Sequence, residues 1–131
     1  MTEYFLATSL LIVLALIEGF NGANFAFRAK HTFRTFKVSY YDDGPGIAIQ
    51  EFGVYSLGLA TAYLLAAWEP AWRGGMVLAG IVINVFAGGM HFLRARGIYF
   101  GDAQPMLSRR SEGTQGLVHA LVVSALIVIL P

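Results

Sequence analysis

The stretch Gly74–Arg96, GGMVLAGIVINVFAGGMHFLRAR, limits the fold more than any other part of the chain. It is apolar almost throughout. At about 1.5 Å of rise per residue it is long enough for a helix to cross a hydrocarbon layer of about 30 Å. Inside it stand one amide, Asn84, and one imidazole, His91. They lie about two turns apart, so both fall on the same helix face. Gly80, Asn84, Gly88 and His91 make a stripe of small and polar residues, while Leu78, Val82, Phe86 and Leu93 populate the other side. A membrane helix has this pattern when one face packs on a neighbour and the rest meets lipid. An unpaired amide in hydrocarbon is costly, so Asn84 is expected to hydrogen-bond to another helix.

Composition extends the membrane reading to the whole chain. Of 131 residues, 56% are hydrophobic and only 13% are charged. A soluble domain carries about 25% charged residues. Mean hydropathy is +0.62. The expectation is a single integral membrane domain over 1–131. A net charge of +1 gives no basic excess for a nucleic-acid partner. With no cysteine, disulfides, thiolate zinc sites, iron–sulfur clusters and cysteine nucleophiles are excluded.

The apolar runs predict four spans, near 4–20, 47–68, 74–93 and 115–130. The first has neither the basic start nor the small-residue exit of a cleaved signal, and reads as a retained span. Between the first two spans lie Arg28, Lys30, Arg34 and Lys37. Phe25, Ala29, Phe33, Phe36 and Tyr40 recur there at helical spacing, which fits a basic amphipathic helix in the headgroups contacting anionic lipid. Thr32–Tyr41 is rich in Thr, Phe, Val and Tyr and fits a short extended segment equally well. The DDGPG turn at Asp42–Gly46 ends either form. Trp68 and Trp72 flank a short acidic and proline turn that suits the membrane interface.

Charge fixes the expected orientation. The first connection holds four Lys/Arg, the third holds Arg94, Arg96, Arg109 and Arg110, and the second holds only Arg73. The positive-inside rule then places both long connections in the cytoplasm and both termini outside. The predicted fold is an all-α, four-helix transmembrane bundle in a bacterial cytoplasmic membrane.

On that topology the ionisable residues gather. Glu18 closes the first span, Glu51 opens the second, His91 stands near the inner end of the third, and His119 lies one turn into the fourth. One from each helix would share an inner-leaflet depth and could bind a ligand, relay a proton or hold a quinone carbonyl. A metal or a haem on Glu18, Glu51, His91 and His119 is chemically conceivable. The sequence has neither the paired Glu-x-x-His spacing of bundle metal sites nor a haem-attachment motif, so no cofactor is implied. Set against these readings, Glu and His near helix ends also serve simply to face headgroups. The Gly80–Asn84–Gly88 stripe is first of all a packing surface.

The second and third spans, EFGVYSLGLATAYLLAAWEP and GGMVLAGIVINVFAGGMHFLRARG, place a short acidic and proline turn between two Gly-dotted helices. In this the chain resembles the DoxX-like group of small bacterial four-helix membrane proteins. That resemblance implies a four-helix bundle, sometimes associated with quinone-linked redox partners, and carries over no functional residue.

Little mass lies outside the membrane, and no complete catalytic constellation is present. The leading expectation is therefore an accessory subunit of a larger membrane complex, a redox or respiratory enzyme above all, without catalytic activity of its own. Membrane lipids and other membrane subunits would be its partners. The alternative is a stand-alone enzyme or binder of a lipophilic molecule, quinone-like or lipid, using the Glu/His cluster. A small dimeric transporter comes third, because it calls for a mid-span carboxylate and the predicted spans leave none of the eight acidic residues there.

Overall fold

The computed structural model describes residues 2–35, 45–99 and 107–130, without the side chains at 2, 3, 30, 33–35 and 45–49. All regular structure among them is helical: α1 (Thr2–Thr35), α2 (Pro45–Trp68), α3 (Pro70–Ala95) and α4 (Arg109–Val128). Tyr4–Ala29 of α1, the whole of α3 and the whole of α4 are long and apolar enough to cross a membrane. The all-helical, membrane-length architecture read from the apolar runs is thus present. The chain groups into two compact units, Met1–Arg73 and Gly74–Pro131, with the boundary inside α3.

In the first unit α1 and α2 pack antiparallel, and glycine sets how closely. A Cβ built on Gly53 would lie 2.3 Å from the Ala26 backbone nitrogen, and one on Gly22 would lie 2.8 Å from the Gly53 carbonyl oxygen. Backbones this close leave no room for a side chain. One turn toward the start of α1, the Ser56 hydroxyl donates to the Glu18 carboxylate at 2.5 Å. On the other side Phe25 and Phe52 meet edge to face, with centroids 5.7 Å apart. Ala7, Leu11, Leu14, Ala15, Ala26 and Ala29 are the buried apolar residues of α1, at the three- and four-residue steps of one helix face. Phe5, Leu16 and Phe20 project outward from the membrane-length part of α1, and Tyr55 projects outward from α2.

α1 does not stop near residue 20. It runs on to Thr35, with a break at Arg28 (φ −133°, ψ 28°). Thr32 spans the break, its hydroxyl reaching the carbonyl oxygens of Arg28 at 3.1 Å and Asn24 at 3.2 Å. Hydroxyl bonding back onto the preceding turns bends helices in this way. The extended alternative for Thr32–Tyr41 gives way to helix over 32–35. Lys37, the rest of that segment, Asp42 and Asp43 lie outside the described residues. Pro45 opens α2, where its missing N–H costs nothing.

In the second unit α3 and α4 also pack antiparallel on glycine. A Cβ on Gly88 would come within 3.0 Å of the His119 Cβ, and one on Gly116 within 3.0 Å of the Phe92 ring. α3 ends in a Schellman turn: Ile98 N–H donates to the Leu93 carbonyl at 3.0 Å and Gly97 N–H to that of Arg94 at 2.9 Å. Gly97 holds the left-handed position, φ 81°. α4 begins nearly two turns before the expected residue 115. Ser108 caps it, its hydroxyl oxygen accepting from the Ser111 N–H at 3.1 Å.

Candidate functional site

The polar residues of the second unit form one connected line along the α3/α4 contact. It starts at a backbone carbonyl. Asn84 is buried near the middle of α3, and its Nδ2 donates to the Gly80 oxygen one turn earlier at 2.8 Å. A carbonyl oxygen only accepts, so this bond fixes which way the amide points and leaves Oδ1 facing His119. His119 Nδ1 stands 2.7 Å from that Oδ1. Since the amide oxygen can only accept, Nδ1 carries the proton, and the neutral ring keeps a lone pair on Nε2.

The second half of the line repeats the arrangement with a charge. His91 Nδ1 lies 2.6 Å from the Glu112 carboxylate. Glu112 is in the first turn of α4, where the helix dipole favours a negative charge. Its side chain is only 3% exposed, against 20% for His91. Nδ1 of His91 donates to the carboxylate, and when the ring is neutral the lone pair is on Nε2. The two imidazoles stack with centroids 5.4 Å apart and planes 14° from parallel. Asn84 and His119 occupy the middles of their helices. His91 and Glu112 lie nearer the ends that the 96–108 connection joins. The pairs therefore step from helix middle toward helix end.

The constellation expected from sequence divides between the units. His91 and His119 meet in the second. In the first, Glu18 is half-buried and bonded to Ser56, whereas Glu51 is exposed on α2 and takes no hydrogen bond among the described residues. Glu18 is level with Ser56 and Glu51 with the Phe25–Ala26 region, about two turns further along α1, so these two carboxylates do not form a pair. Two expected placements change. Glu18 falls in the interior of the membrane-length segment Tyr4–Ala29 rather than at the end of a span. With α4 starting at Arg109, His119 sits about three turns into its helix rather than one. Arg28 is exposed at the break in α1, and Lys30 and Arg34 follow it on the same helix. Gly80 is buried and supplies the anchoring carbonyl, and Gly88 is buried against His119.

Three residues that matter here were passed over in the sequence. Glu112 lies before the apolar run that predicts the fourth span near 115–130. The signal that could have recovered it is Ser108, a good N-cap, with an acid in the turn that follows. Ser56 is the single serine of an apolar helix and carries no pattern. Arg73 was counted only as the one cation of the second connection, yet it is just 8% exposed.

Chemically, the α3/α4 line offers an Nε2 acceptor on each ring when that ring is neutral. Each ring is held by a partner on the opposite helix. A carboxylate behind an imidazole steadies the cation formed when Nε2 takes a proton, so His91 is equipped as an acceptor. Among the described residues no three His, Asp or Glu side chains are gathered as a metal ion would need. No protein-family model matches the chain, and neither does any curated protein or solved structure.

Proposed function

We propose that this is an integral protein of a bacterial cytoplasmic membrane that binds a lipophilic molecule with a polar, hydrogen-donating head, of the quinol type, at His91 and His119. One observation carries the reading. Glu112 and Asn84 occupy both Nδ1 atoms, which leaves Nε2 of each neutral ring as an acceptor on a membrane-length helix. A hydroxyl on a flat, greasy head would donate to Nε2 of His91, with Glu112 balancing any proton that moves onto the ring. In this reading α2 spans together with the three membrane-length helices, the four close into a bundle, and both termini face outward, in line with the distribution of Lys and Arg. The DoxX-like resemblance of the second and third spans, with its quinone-linked associations, points the same way.

The test is the quinone content of protein extracted gently from its own membranes, measured by chromatography. Wild type is expected to retain it stoichiometrically, and His91→Ala and Glu112→Leu to retain no more than bulk lipid carries. Equal retention in all three sinks the proposal.

A second reading, the accessory subunit of a larger redox complex, is favoured by a separate observation. At Gly58, Gly75 and Gly89 an added Cβ would meet nothing within 4 Å. Gly75 and Gly89 lie on the membrane-length α3 and Gly58 on α2, and small residues left open on apolar helices are surfaces that other helices pack on. Native mass spectrometry of the same extract decides it. A fixed-stoichiometry assembly supports the subunit reading, and release as a lone chain or small homo-oligomer removes it.

A further inference from the structure

A second polar centre lies in the first unit, and the proposed function does not use it. Arg73 is in the first turn of α3, where the helix dipole disfavours a cation. It is nonetheless 8% exposed. Its partners are all neutral: Nε donates to the Ala66 carbonyl at 3.3 Å, Nη2 donates to the Thr8 hydroxyl at 3.2 Å, and the guanidinium carbon stands 4.7 Å above the Tyr4 ring. No carboxylate among the described residues pairs with it. A guanidinium has five N–H groups, and these two bonds use two of them. Burying a charge without an opposite charge is expensive, and neutral partners recover only part of the cost.

Beside the guanidinium runs an apolar groove lined by Thr8, Ile12, Leu64, Ala67 and Trp68. The two features share a wall. Thr8 accepts from Arg73 and lines the groove, and Ala67 follows the residue whose carbonyl Arg73 binds. A cation lacking its counter-charge beside a half-open apolar hollow matches an anion with an aliphatic tail.

We propose that this groove is a binding site for one anionic phospholipid, its phosphate on the free N–H groups of Arg73 and an acyl chain along Ile12 and Leu64. The planar fork suits a phosphate better than a lysine ammonium would. This site is independent of the quinol reading and stands or falls without it.

The experiment is native mass spectrometry of the full-length, detergent-solubilised protein titrated with phosphatidylglycerol or phosphatidylcholine. Wild type is expected to retain phosphatidylglycerol several-fold better than phosphatidylcholine. Arg73→Gln removes that preference. Leu64→Trp, which narrows the groove and leaves the guanidinium in place, lowers retention of both lipids. Far-UV circular dichroism establishes that each variant is folded. If Arg73→Gln is not, Arg73→Lys replaces it and is expected to weaken the preference by loss of the fork. The proposal is overturned if the preference survives the arginine substitution, if Leu64→Trp retains lipid as wild type does, or if tail-less glycerol phosphate competes as strongly as the intact lipid.

Discussion

At the scale of single residues, the two histidines depend on unlike supports. Glu112 gives His91 a charge-assisted bond from a nearly sealed position, whereas Asn84 gives His119 a neutral one. Loss of a charged partner from a buried pair costs about 1–3 kcal/mol. Neutral interhelical bonds in membrane proteins average only about 0.6 kcal/mol. Glu112→Leu should therefore destabilise the α3/α4 unit clearly more than Asn84→Leu, as measured by thermal unfolding in detergent. An equal or reversed order would mean that the carboxylate is far better solvated than its burial indicates. The tautomers can be checked directly. Nitrogen-15 spectra of labelled histidine should show the neutral rings of His91 and His119 protonated at Nδ1 and bare at Nε2. A protonated Nε2 on either neutral ring contradicts the hydrogen-bond assignment.

At the scale of helices, the crossing of α1 and α2 depends on two glycines. Gly53→Ala would push a methyl group to 2.3 Å from the Ala26 nitrogen, and backbone cannot move aside as a side chain can. Overpacking of this kind costs about 1–3 kcal/mol, and a contact between two backbones belongs at the upper end. Gly58→Ala on the same helix meets nothing within 4 Å and should be neutral or slightly stabilising, since alanine is the better helix former. A melt in which both variants behave alike would remove the crossing from the account of what holds this unit together. The sequence made the existence of the helices legible, because uninterrupted apolar runs have few other solutions. Helix ends were harder to read. α1 and α4 extend as helix past their apolar runs, into turns whose polar residues read like loop. Asn84, His91 and His119 could be singled out because polar groups in apolar helices are rare and costly. Glu112 could not, because its burial depends on a cap at Ser108 and on His91 of another helix.

At the scale of the whole chain, orientation is the property most open to a clean test. The protein has no cysteine, so each introduced thiol is the only one present. Glu69→Cys, between α2 and α3, should react with an impermeant maleimide from outside intact cells. Arg110→Cys, exposed in the first turn of α4, should react only in inverted vesicles. The reverse pattern would turn the proposed topology over, and labelling of both from one side would leave α3 unable to cross. The count of cations behind this orientation was simple, but what Arg73 does was not visible in it. The one cation of the second connection is folded against Thr8 and Ala66, so its weight as an exposed charge is small.

The ladder of Asn84, His119, His91 and Glu112 also governs how the α3/α4 hairpin is proofread. Lipid solvates most apolar faces about equally, so sliding or rotating α4 against α3 would change little in the greasy contacts. The polar pairs fit one register only. A hairpin inserted out of step would present an amide, a carboxylate and two imidazoles to hydrocarbon all at once. That makes the mis-threaded form conspicuous as well as unstable, a flag that membrane proteases can act on before the chain matures.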